Sequence, residues 1–113
     1  MSLKGLEGLS IPDDVRVAIS NFVGRVREAY PDAELYLFGS YAKNTWVEGS
    51  DIDIIVVSKG FRGMSLGERA RKLRKLASKT LPFEILAYTP EEFAQALRRS
   101  ITLQDASEYW IKL

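Results

Sequence analysis

Two apolar runs, Leu35-Tyr36-Leu37-Phe38 and Ile54-Ile55-Val56-Val57, are joined by the polar stretch GSYAKNTWVEGSDID at residues 39–53. Short apolar runs bounded by turn residues read as strands, and the junction on Gly39-Ser40 lets the chain leave the first strand sharply and begin a helical turn over Ser40 to Lys43. At the far end, Asp51 and Asp53 open the second strand. Side chains on a strand alternate faces, so the two carboxylates share one face and Ile52 takes the other. Two acids placed this way suit a hard cation. The second run has no alternation, which predicts a central strand covered on both faces.

The flanking segments supply the rest of a small sheet and its cover. Ser10 is the expected cap of a first helix whose opening turn carries Pro12, Asp13 and Asp14, favourable where free N–H groups and the positive dipole end lie. Ile11, Val15, Ile19, Phe22, Val26 and Tyr30 recur at helical spacing, and the helix is expected to end before Pro31. Residues 34–38 are read as the first strand and 51–58 as the second. Ser65 caps a helix running to about Lys79, with Leu66, Ala70, Leu73 and Ala77 on its inward face and a basic opposite face of Arg69, Arg71, Lys72, Arg74, Lys75 and Lys79. Residues 81–88 form a third strand. Thr89-Pro90-Glu91-Glu92 is a helix start with cap, proline and capping-box glutamate, and Phe93 and Leu97 point inward from that helix. The tail from Ile101 is expected to add a helical turn or two before Tyr109-Trp110-Ile111 packs on the body. The fold class is α/β (α+β), a small mixed β-sheet packed by helices.

At 113 residues the chain is one domain, 1–113, with a single core. Sixteen basic against 15 acidic residues give no global signal for nucleic acid or an anionic surface. Cysteine and histidine are both absent, which excludes thiolate or imidazole metal sites, disulfides and a histidine base. Carboxylate and hydroxyl chemistry remains. No apolar run approaches the roughly 20 residues that span a bilayer, and the expected location is cytoplasmic, without membrane contact.

Within that inventory, backbone N–H groups at the start of a helix attract phosphate oxygens, Gly39 lets the backbone come close, and the Ser40 hydroxyl adds a donor. Lys43, in the same first turn, is a candidate phosphate contact or an ordinary exposed lysine. A site built on Asp51 and Asp53 needs a third acid on the same sheet face. Glu84, alone amid Leu81, Phe83, Ile85 and Leu86, is the candidate; its alternative is an edge-strand acid facing solvent or paired with a lysine. Trp46 and Trp110 are either interface aromatics or tucked core residues. The basic helix face is read first as solvated, and RNA binding through it is not the expected use.

Gly39-Ser40, ten intervening residues, then Asp51-Ile52-Asp53 resembles the signature of the minimal nucleotidyltransferase family in the DNA polymerase β-like superfamily. The likeness extends over about residues 10–99. It implies a nucleotidyltransferase fold that binds ATP with Mg²⁺, as two ions, with Asp51, Asp53 and Glu84 as catalytic metal ligands and Gly39, Ser40 and Lys43 as phosphate contacts. Glu84 departs from the aspartate common in the family at that point. Asn44 stands where a glycine is frequent, a position an asparagine fills in the left-handed conformation. Small proteins of this kind resemble the antitoxin half of a toxin–antitoxin pair whose partner is a helical HEPN-type RNase. The implied activity is transfer of AMP from ATP to a tyrosine of that partner. The alternative is a module that neutralises the partner by contact alone. Oligomer formation is compatible with either.

Overall fold

The computed structural model describes residues 4–113. A 3-10 turn at Lys4–Leu6 leads into helix α1 (Asp13–Ala29), strand β1 (Glu34–Phe38) and the short helix α2 (Gly39–Lys43). Strand β2 (Ile52–Val57), a 3-10 turn at Lys59–Phe61, helix α3 (Leu66–Leu76) and strand β3 (Phe83–Tyr88) follow. Helices α4 (Pro90–Arg99) and α5 (Ile101–Ala106) and strand β4 (Ile111–Lys112) complete the chain. The sheet runs β3-β2-β1-β4, with β1 antiparallel to β2 and β4, and β2 parallel to β3. Helix α3 is the crossover that a parallel pair requires.

The period-two pattern divides the sheet into two faces. Leu35 and Leu37 of β1, Ile52, Ile54 and Val56 of β2 and Phe83 of β3 are buried on one face, against Val15, Ile19, Phe22 and Val26 of α1 and Leu73 of α3. Tyr36, Ile55, Val57, Leu86 and Tyr88 point to the other face, where Phe93, Leu97, Leu103 and Trp110 cover them. As its unbroken apolar run predicts, β2 is central.

Three local expectations are corrected. Helix α1 is capped by Pro12, with no side-chain cap bond, and the Ser10 carbonyl instead accepts the Trp46 indole N–H at 2.8 Å. Helix α3 is rotated from its expected stripe: Leu73 and Ala77 are buried together with Arg69, whereas Leu66 is 72% exposed and Ala70 is exposed. The cause is Arg69, which is only 5% exposed. Its guanidinium donates to both Glu92 oxygens and to the carbonyls of Met64 and Ala87. Finally, Ile111–Lys112 is a strand on the free side of β1, so the tail extends the sheet as well as packing on it.

Both tryptophans are partly buried against other aromatic rings. Trp46 stacks on Tyr41 with ring centroids 5.7 Å apart, and Trp110 lies 4.7 Å from Tyr36 and 5.8 Å from Phe93. The start of α4 is the capping box its sequence predicts, with Thr89 accepting from the Glu92 N–H and Glu92 accepting from the Thr89 N–H. Among the described residues no helix is long and apolar enough to cross a membrane.

Candidate active site

Register brings together what the sequence keeps apart. Phe38, Asp53 and Glu84 form one row across β1, β2 and β3, and the alternation puts all three on the face that carries α4 and α5. The helical cover is built on Tyr36, Ile55, Val57, Leu86 and Tyr88. At the opposite end of that face, Glu84 is exposed and Asp53 half-buried. The acids therefore stand on an apolar floor, open on one side to whatever approaches the sheet end.

Burial, first, and then the touching Glu84 carboxylate and the nearby Asp51 charge push the Asp53 carboxyl up to about 7. The carboxyls of Asp53 and Glu84 are in hydrogen-bonding contact. The like charge of a neighbouring carboxylate disfavours the ionised form of Asp53, in the same direction as its burial. Asp51 lies one residue before β2 and is exposed. It shares the face of Asp53 by alternation, while Ile52 is fully buried on the other side.

Gly39 is required here by both conformation and space. Its φ is +73°, a region that side chains rarely adopt, and a Cβ built on it would stand 2.0 Å from Asp53 Oδ2. The backbone turn from β1 into α2 thus lies directly against the Asp53 carboxylate. The Ser40 carbonyl accepts from the N–H groups of Asn44 and Thr45, which closes α2 after little more than one turn. Asn44 is left-handed at φ 61°, as its place in the loop predicts. The Lys43 ammonium sits 4.5 Å from the centroid of the Tyr109 ring, held over an aromatic face instead of over the acids. Tyr109 was legible only as a packing residue, because nothing in the local sequence pairs it with Lys43.

The donor set is all oxygen, with negative charge concentrated on Asp53 and its neighbours, which fits a hard divalent cation and no softer metal. Among the described residues no three such side chains already converge into a metal cage. Asp53 and Glu84 touch, and Asp51, outside the strand, must turn toward them to complete a set of three. A cavity of about 410 Å³ lies behind the loop, lined by Tyr41, Trp46, Ile52 and Pro82, but it opens beside Ile52 and not beside the acids. The exposed basic residues of α3 belong to the helix that covers the opposite face of the sheet from Asp53 and Glu84.

Residues 19–109 match the family described as the nucleotidyltransferase domain. Two relatives are poly(A) RNA polymerase proteins. The chain is 44% identical over 41 residues to protein 2 of Saccharomyces cerevisiae, covering 36% of this chain and 7% of that protein. It is 36% identical over 64 residues to protein 1 of Eremothecium gossypii, covering 52% of this chain and 10% of that protein. The chain thus spans about a tenth or less of the length of these relatives. A crystal structure from Sulfolobus solfataricus described as that of a nucleotidyltransferase superposes with a TM-score of 0.53 at 23% identity, covering 78% of this chain and 85% of that one. That likeness establishes the fold.

Proposed function

Since this chain belongs to the nucleotidyltransferase domain family, we propose that it transfers AMP from ATP, with Mg²⁺, to a tyrosine hydroxyl of a HEPN-type helical toxin and acts as that toxin's antitoxin. The observation that carries the reading is the row itself: Asp53 and Glu84 in register on neighbouring strands, with the Gly39 turn against the Asp53 carboxylate.

Each residue then has a task. Gly39 and Ser40 bring backbone N–H groups and one hydroxyl to the triphosphate. Asp51, Asp53 and Glu84 would hold the magnesium, which when bound supplies positive charge against the phosphate oxygens. Glu84, on the outer strand and exposed, orients the incoming hydroxyl and takes its proton as the acceptor oxygen bonds to the α-phosphorus and pyrophosphate leaves. Lys43 reaches a phosphate only by leaving the Tyr109 ring. The open sheet end supports an acceptor carried in by a second macromolecule.

The relatives named as poly(A) RNA polymerases support a second reading, in which the acceptor is a hydroxyl at an RNA end. The basic residues of α3 lie on the helix that covers the opposite face of the sheet from the acid row, which favours the protein acceptor. Cells expressing the toxin separate catalysis from neutralisation by contact. The wild-type chain is expected to protect them and an Asp51→Ala, Asp53→Ala double variant that still folds is expected to fail; full protection by the double variant contradicts the catalytic reading.

A further inference from the structure

Tyr41 is 3% exposed, yet among the described residues its hydroxyl has no hydrogen-bond partner. A buried phenol normally finds one. No polar side-chain atom of the described residues is both enclosed and unpaired, so this hydroxyl reaches open space, and Tyr41 lines the cavity of about 410 Å³ behind the loop at 44–51. The rest of the wall is mostly apolar, from Val15, Ile52, Leu81 and Pro82, with the Trp46 ring stacked on Tyr41 at 5.7 Å. Trp46 is fixed by its indole N–H bond to the Ser10 carbonyl, and the Ser50 hydroxyl secures the loop by accepting from the Val47 N–H at 2.9 Å. The cavity is thus held open by bonds within the protein.

Its charges have one sign. Asp14 of the first turn of α1 and Glu48 of the loop line the cavity, and among the described residues no lysine or arginine does. Both carboxylates are exposed at its mouth, and neither takes part in an ion pair among the described residues. Burial, first, and then the Asp14 charge raise the Tyr41 hydroxyl above the ordinary value for a phenol, so it stays protonated and its oxygen can accept from an N–H. No hydrogen bond joins Tyr41 to Asp14, which leaves both to accept from a third group.

A metal ion would find two carboxylates against an apolar wall, and a neutral ligand would leave both charges unanswered. An organic cation answers every feature at once, with N–H donors for the carboxylates and the hydroxyl, positive charge beside two aromatic rings and an apolar body for the wall. We propose that this cavity binds a small organic amine in its ammonium form, its charge held by Asp14 and Glu48 and its hydrocarbon body lying against Tyr41 and Trp46. The cavity opens beside Ile52, whose side chain faces α1, so this ligand is distinct from the acceptor proposed for the acid row.

The test is a titration of the full chain with phenethylammonium at neutral pH, beside its uncharged counterpart 2-phenylethanol, followed by heteronuclear NMR. Saturable shifts are expected at the Trp46 indole N–H and at the amides of Ser50 and Ile52, while the Trp110 indole, on the other face of the sheet, stays in place. The amine should bind about tenfold or more tightly than the alcohol. Asp14→Asn and Glu48→Gln together should abolish that preference, and Tyr41→Phe, which keeps the ring, should weaken amine binding by roughly threefold to tenfold. Both variants are expected to keep the wild-type spectrum away from the cavity. The proposal is overturned by the absence of saturable shifts at Trp46, by equal affinity for amine and alcohol, by a preference that survives loss of both acids, or by amine binding that Tyr41→Phe leaves untouched.

Discussion

The Asp53 carboxylate occupies the space in which Gly39 would carry a side chain. A Cβ on Gly39 would lie 2.0 Å from Asp53 Oδ2 and 2.9 Å from its Cγ. The Gly39 turn and the acidic row are therefore a single packed contact, and neither moves without the other.

Gly39→Ala should consequently cost more than its backbone strain. Gly49 has a comparable φ of +85° but nothing within 4 Å of its Cβ position, so Gly49→Ala isolates the strain at about 1 kcal/mol. Gly39→Ala is expected to lose roughly 2–4 kcal/mol in urea unfolding, because Asp53 must also be displaced, and to abolish nucleotide transfer. Equal losses for the two variants would show that the Asp53 contact carries no energy.

The acid pair should destabilise the metal-free protein at neutral and alkaline pH. Asp53 titrates near pH 7 in the folded state against 3.8 for its ordinary value, so between these values the folded chain holds the extra proton. Stability from this group is highest below pH 4 and declines as pH rises through 7. Asp53→Asn removes the effect. In chelator at pH 8 it should raise stability on the order of 1 kcal/mol, a figure discounted for the half-exposed site, and the gain should vanish toward pH 4. A variant less stable than wild type at pH 8 would contradict the contact between Asp53 and Glu84.

Arg69 and Glu92 make the opposite contribution. The guanidinium of Arg69 and the Thr89 backbone N–H hold the Glu92 carboxyl below its usual range, and the Lys59 N–H and Ser58 hydroxyl do the same for Asp32. Stability from these groups is present above about pH 4.5 and is lost as pH falls through their folded values. Arg69→Ala should cost roughly 3 kcal/mol at pH 7, because it strips α4, α3 and the end of β3 of their common partner. Glu92→Gln should cost less, since Glu92 is partly exposed, and its deficit relative to wild type should shrink at pH 3. A pH-independent deficit would place the energy in packing alone.

The fold was legible where local pattern decides it. Period-two alternation sets the faces of β1 and β2, and the Thr89 box sets the start of α4. It was illegible where distant residues decide it. Arg69 reads as one more cation on a basic helix, and its burial is dictated by Glu92, 23 positions later. The two-residue β4 is too short to show a period and forms because β1 leaves an edge free. In the site, the spacing of Gly39, Ser40, Asp51 and Asp53 was readable, and Glu84 stood out as an acid in an apolar run. That Glu84 lies beside Asp53 follows from the parallel register set by the α3 crossover, which no local spacing encodes. The position of Lys43 in the first turn leaves it either a phosphate contact or an ordinary exposed lysine, and does not show that the last residues bring the Tyr109 ring beneath its ammonium.

Nucleotidyl transfer by the acid row is tested most directly by incubating the protein with α-labelled ATP, Mg²⁺ and the product of the adjacent gene, beside the Asp53→Asn variant. The predicted result is label on a tyrosine of that product with wild type and its loss, by on the order of a hundredfold or more, with the variant. No label with wild type, or equal labelling by Asp53→Asn, would contradict it.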